Sequence, residues 1–294
     1  MYNNIFVGGD EMSENNIILN RLFTQRTFSE LIHSSDVAVY NAVVRRYIND
    51  PCNKSNGELL SEIYSYMSDE YRNEYFYQNT LLNKLLLGRH SIKTTTALTQ
   101  IPISKSKADF ILINGKAVVY EIKTELDTFE RLETQIRDYY KAFDHVCVVT
   151  SELQFDQACE ILKGTNVGVY ALTQQETISQ TKRIEPIRDT SQLDYSAIFK
   201  ILHKDEFESI LLKYFNELPK VSQVFYYGEC LKKFCEIPMG VAYALFLKEL
   251  KKRNNIQISE FKEIPYELKS LVYFSKPTPK EWESIHHFLS CAYV

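Results

Sequence analysis

Apolar residues recur every three or four positions in two early stretches, Ile17 to Phe23 and Val37 to Tyr47. That spacing lines one face of a helix, so residues 1–66 are expected to form a helical N-terminal region. Pro51 to Gly57 is a polar break containing Pro, Asn, Ser and Gly. The longest early helix is expected to follow, from about Asp69 to Leu87, with Gly88 as its stop signal and His90 in a polar loop behind it.

The periodicity then changes. Residues 91–103 are rich in Thr and Ile, a strand composition. Lys107 to Lys123 reads as two short apolar strands joined at Asn114-Gly115. Helical spacing returns from Asp127 to Phe143. His145 to Thr150 and Val167 to Leu172 are continuous apolar runs, as in strands buried on both faces. The helical stretch Phe155 to Lys163, ended by Gly164, lies between them. Meandering strands followed by β-α-β predict an α/β fold over residues 67–190: a mixed β-sheet flanked by helices on both faces. Residues 191–294 are expected to be helical again, over Ser196 to Leu218 and Val224 to Lys252, with a break near Pro238 to Gly240. A final short helix through Trp282 and Phe288 opens on a capping box, Thr278 to Glu281, with Pro279 at its first position.

Composition narrows the function classes. No stretch approaches the roughly 20 apolar residues of a membrane span. The first residues lack the basic and apolar regions of a signal peptide, so a cytoplasmic protein without a membrane partner is expected. The six cysteines contain no Cys-x-x-Cys pair and no zinc spacing; reduced thiols fit better than disulfides. A net charge of −4 argues against a protein that merely coats nucleic acid. An enzyme needs only a local positive rim.

The chemistry concentrates in the Asn114-Gly115 hairpin. Asp109 lies early in its first strand, and Glu121-Ile122-Lys123 ends the second. Side chains alternate along a strand, so Glu121 and Lys123 share a face while Ile122 points away. Asp109 joins that face only if the turn is right. A two-residue loop at Asn114-Gly115 would turn Asp109 to the wrong side. A three-residue loop, Ile113-Asn114-Gly115 with Gly115 left-handed, would pair Asp109 with Val119 and set it diagonal to Glu121; this turn is predicted. Converging carboxylates suit a hard divalent cation such as Mg²⁺. Gln135 and Tyr139, four residues apart, share a helical face that can fold back over the site, and Arg131 extends the stripe. Glu74 sits among Tyr75, Phe76 and Tyr77 in the earlier helix.

Taken in order, Glu74, Asp109, Glu121-Ile122-Lys123 and Gln135-x-x-x-Tyr139 resemble the PD-(D/E)XK nuclease superfamily, and the Gln-x-x-x-Tyr helix its RecB-like branch. The match covers roughly residues 69–172. The resemblance implies a restriction-endonuclease-like core and hydrolysis of phosphodiester bonds with Mg²⁺, Mn²⁺ substituting. It implies Asp109, Glu121 and the Ile122 carbonyl as metal ligands, Lys123 as catalytic lysine and Glu74 as a further catalytic acid. Gln135 and Tyr139 would position substrate, and Arg131 is a candidate for the same role. Nucleic acid is the implied partner, DNA ahead of RNA, in a defence or repair setting; a homodimer or a protein partner stays open. Ala108 stands where the motif's proline would be. A non-catalytic nucleic-acid- or protein-binding module on the same fold is the competing class.

Each of these residues also has a plain reading. Glu121 and Lys123 are then a solvated strand end, and Asp109 an edge charge that blocks aggregation. Glu74 and Arg131 are exposed helix positions, Arg131 pairing with Glu130 or Asp127. Cys230, Cys235, His286 and His287 lack zinc spacing. Lys204, Lys248, Lys251, Lys252 and Arg253 either line a nucleic-acid path or are solvated charges at helix ends.

Overall fold

The structure is a computed structural model and describes residues 9–34, 37–88, 91–254 and 256–293. His90 lies outside them. The chain forms two compact units, one through Asn83 and again from Ile256, the other Lys84–Asn255. This replaces the three-part division expected at residues 66 and 190.

The first unit is helical. It holds α1 (Gly9–Leu22), α2 (Gln25–His33), α3 (Ala38–Tyr47), α4 (Asn56–Glu70) and α5 (Glu74–Leu81). The single helix expected from Asp69 to Leu87 is broken. It comprises the end of α4, a gap over residues 71–73, α5, and a π-helical turn, Leu82–Leu87. The reason is local. Ser55 and Glu58 form a reciprocal capping box that starts α4 inside the supposed polar break. Asn73 then caps α5, its side chain accepting from the Phe76 amide at 3.1 Å.

The second unit is built on one six-stranded sheet in the order β1-β2-β3-β4-β5-β6. The strands are β1 (Thr96–Ile103), β2 (Ser106–Asn114), β3 (Lys116–Lys123), β4 (Val146–Ser151), β5 (Gly168–Leu172) and β6 (Ile178–Ile184). Pairing is antiparallel from β1 to β3, parallel from β3 to β5 and antiparallel at β6. α6 (Leu132–Tyr140) connects β3 to β4 and α7 (Phe155–Ile161) connects β4 to β5. The expected mixed sheet with flanking helices is therefore present. β6 is an addition: its residues alternate only weakly and five of the seven are polar or charged, so no strand period stood out.

Four further helices belong to this unit: α8 (Tyr195–Ile201), α9 (Lys204–Phe215), α10 (Gln223–Cys235) and α11 (Met239–Lys251). Phe199, Ile210, Phe234 and Phe246 share one buried cluster with Ile111, Val119 and Val148 of the sheet. That shared core is why the boundary at residue 190 does not appear. The chain then returns to the first unit with α12 (Ile258–Glu263), α13 (Lys269–Ser275) and α14 (Pro279–Ser290). Asn79 of α5 holds this return. Its side-chain amide donates to the Tyr266 carbonyl at 3.1 Å, and its side-chain oxygen accepts from the Ser270 amide at 2.9 Å. The capping box at Thr278 and Glu281 is formed as expected.

Candidate functional site

The β2–β3 hairpin turns on Gly115, whose φ of 73° is left-handed. Ile113 pairs with Ala117 and Asn114 with Lys116, so Gly115 alone stands between the two strands. The left-handed glycine agrees with expectation; the loop, expected as Ile113-Asn114-Gly115, and the register do not. Pairing runs Phe110 to Tyr120 and Ile111 to Val119. Continued by one residue, it sets Asp109 directly opposite Glu121, not diagonal to it. The turn lies one residue further along than expected because Ile113 stays in the ladder, buried. The consequence for the site is the same: Asp109, Glu121 and Lys123 share a face.

That face is covered by α6. Glu121 is only 1% exposed and Lys123 8%, so the solvated strand end is excluded. Glu121 accepts hydrogen bonds on both carboxylate oxygens. Gln135 Nε2 donates to Oε1 and the Tyr139 hydroxyl to Oε2. Lys123 Nζ lies 2.9 Å from the same Oε1 and donates to Gln135 Oε1, also at 2.9 Å. A buried carboxylate would be costly alone, and here three donors compensate it. Burial first, then the negative charges of Glu121 and Asp109, raise the Tyr139 phenol well above its ordinary pKa. It therefore stays protonated and able to donate.

Asp109 is half-buried, and its Oδ2 accepts from the Ile122 amide at 2.9 Å. The amide and carbonyl of one strand residue face the same neighbour, so the Ile122 carbonyl also faces the β2 side. The donor set is then two carboxylates and one carbonyl, all hard oxygen. That is the chemistry Mg²⁺ takes when it keeps several waters. No group of three or more His, Cys, Asp or Glu side chains placed to hold a metal occurs among the described residues.

Two expected members are not among the hydrogen-bond partners of Glu121 given above. Glu74 is exposed in the first turn of α5, which belongs to the first unit. Arg131 is exposed at the N-cap of α6 and supplies the carbonyl that accepts from the Gln135 amide at 3.0 Å. Another residue was not foreseen. Asp138, buried, accepts from the Lys105 amide at 3.1 Å, the Ser106 hydroxyl at 2.9 Å and Lys141 Nζ at 2.7 Å. It pins α6 to the start of β2 and so sets where Gln135 and Tyr139 reach. A lone acid before two tyrosines gives no sequence signal for this. Beyond the end of β3, an open hollow of about 630 Å³ is lined by Asp127, Glu130, Glu133 and Gln154 among others, so its rim is acidic.

The family model described as Bacteriophage P4 protein cII matches residues 67–270. Protein cII of Enterobacteria phage P4 is 26% identical over 108 residues, which cover 37% of this chain and 40% of the phage protein. The aligned part thus spans well under two thirds of that relative. No solved structure matches.

Proposed function

The chain belongs to the Bacteriophage P4 protein cII family, and from the Glu121 cluster we propose that it is a metal-dependent nuclease with a restriction-endonuclease-like core, cleaving DNA in a cytoplasmic defence or repair setting. One observation carries the reading: Asp109, Glu121 and Lys123 share a face of a hairpin, locked by Gln135 and Tyr139. This is the series by which the sequence resembles the PD-(D/E)XK superfamily.

Asp109, Glu121 and the Ile122 carbonyl would hold Mg²⁺ or Mn²⁺. A bound divalent ion supplies Lewis-acid activation of a phosphate and of a water. The chain's own groups do the rest. Gln135 and Tyr139 fix the Glu121 carboxylate so that its charge faces Lys123. Lys123, anchored by Glu121 and Gln135, keeps an ammonium where negative charge grows on a phosphate, and preorganised charge of that kind needs little rearrangement. Asp109, less buried than Glu121, is the acid that substrate reaches first.

A second reading rests on the same network. Both Glu121 oxygens already accept hydrogen bonds, which suits a closed structural lock in a binding module without turnover. Plasmid and single-stranded DNA, incubated with the full chain in Mg²⁺, Mn²⁺ or EDTA, separate the two. The nuclease reading expects metal-dependent products, and a loss of about 100-fold in Asp109→Ala, Glu121→Ala and Lys123→Ala. Equal cleavage by all three variants sinks it. DNA binding without cleavage under any metal establishes the binding module instead.

A further inference from the structure

A second charged feature stands at the other end of β3. Lys116 opens the strand and Lys123 closes it, so at about 3.3 Å per residue they are roughly 23 Å apart. Around Lys116 lies an open groove of about 560 Å³. The hairpin turn, the residues before β4, Arg188 and one face of α11 form its walls. The α11 face is spaced by helical turns: Gly240, Ala244, Lys248 and Lys251. Small residues at one end open the groove, and lysines line the other.

Lys116, Arg188, Lys248 and Lys251 are the basic side chains of the lining, with His145 beside them; Asp144 is the one carboxylate in the lining. Asp144 is already committed. It is buried and accepts from Tyr243 at 2.7 Å, from His145 Nδ1 at 2.8 Å and from Arg188 Nε at 2.8 Å. Among the described residues, no carboxylate forms an ion pair within 4 Å with Lys116, Lys248 or Lys251, although the charge of Lys116 reaches Glu185 and helps lower its pKa. Lys213 of α9 comes close enough to Lys248 for contact and like charge to lower its pKa. Glu249, next along α11, is taken by Lys252 and by Ser209. A helix dipole accounts for cations in the last turn of α11. It does not account for Lys116 and Arg188 meeting them across a groove, in a protein whose net charge is −4.

We infer that this groove binds the phosphodiester backbone of nucleic acid, at a site separate from the Glu121 cluster. The Tyr243 hydroxyl is engaged by Asp144, and the free charges are lysines, so contacts go to phosphates and not to base edges. Binding is therefore sequence-independent and salt-dependent. Lys248 and Lys251, one turn apart, are placed for successive phosphates. The inference does not depend on catalysis.

Fluorescence anisotropy of a labelled 20-nucleotide single strand, measured in EDTA with the full chain, tests it. Lys248→Glu/Lys251→Glu is expected to weaken binding at least tenfold. It should also flatten the log–log salt dependence by about 1.4, at roughly 0.7 per lost phosphate contact. Gly240→Glu is the second probe, because a Cβ there meets nothing within 4 Å and the helix gains a better former. It should weaken binding without lowering the melting temperature. Absence of binding by the wild type, or unchanged affinity in both variants, overturns the inference. So does competition by inorganic phosphate at concentrations as low as those of the oligonucleotide, which assigns the groove to free phosphate. Cleavage in Mg²⁺ is scored apart: lost cleavage with intact binding counts against the nuclease reading alone.

Discussion

Tyr139 shows what one buried hydrogen bond does in this protein. Its hydroxyl donates to a carboxylate that is 1% exposed, and it also lies 3.0 Å from the Lys107 carbonyl. Tyr139→Phe removes that donor while keeping the ring's packing. Urea denaturation should show a loss of about 1–3 kcal/mol, the cost of leaving a buried charged acceptor short of a partner. A loss below ~0.5 kcal/mol would mean that water reaches Glu121. Asp144 gives a pH test. Burial alone would raise its pKa, but hydrogen bonds from His145, Arg188 and Tyr243 outweigh that and hold it at about 2. A carboxyl depressed in the folded state stabilises fully above its unfolded value, near 3.9. That stability fades as the pH falls from there through about 2, an amount on the order of 2 kcal/mol. Asp144→Asn should therefore flatten the acid limb of stability between pH 4 and 2, read by thermal melts across that range. The contrast between these acids is instructive. Glu121 was legible because its neighbours at short sequence distance fit a known series. Asp144 and Asp138 were not, because their partners come from distant segments such as Arg188, Tyr243 and Ser106.

Secondary structure was legible wherever the hydrophobic period was strong and long. β4 and β5, fully buried, and α10 and α11 on either side of Pro238 follow their apolar spacing. Boundaries set by capping were not. α4 begins one residue after Ser55 because of a capping box hidden in a polar stretch, and α5 begins after Asn73 for a similar reason. The hairpin register was off because the turn centres on Gly115, with Ile113 and Asn114 both kept in the ladder. Two glycines test how firmly these elements are held. Gly115 needs a positive φ, so Gly115→Ala should cost about 1–2 kcal/mol in the left-handed region. Gly168 opens β5 against a returning chain. A Cβ there would stand 2.6 Å from the Pro186 nitrogen and 2.8 Å from the Ile184 carbonyl oxygen. Both are backbone atoms that cannot swing away. Gly168→Ala should destabilise by about 1–3 kcal/mol, as overpacking does. Chemical denaturation with an unchanged m value would identify a native-state effect; stability equal to wild type would mean that the edge strand β6 gives way freely.

The charges of the whole chain are sorted by place. The rim near the end of β3 carries Asp127, Glu130 and Glu133, while the groove at its start carries Lys116, Lys248 and Lys251. A net charge of −4 describes neither, which is why charge alone argued only against uniform coating. The division into units was equally invisible in sequence. The first unit is discontinuous, its two parts joined through buried contacts such as those of Asn79. Periodicity cannot reveal that residues 266–270 return to α5 across the whole second unit. Two units with their own cores predict unfolding that is not two-state. Calorimetry should give a calorimetric enthalpy larger than the van't Hoff enthalpy. Asn79→Ala, which strips the hydrogen bonds from the Tyr266 carbonyl and the Ser270 amide, should lower only the transition of the first unit. Gly168→Ala should lower only that of the second. A single transition moved equally by both variants would show that the chain unfolds as one cooperative body. Each substitution would then report on global stability and not on its own unit.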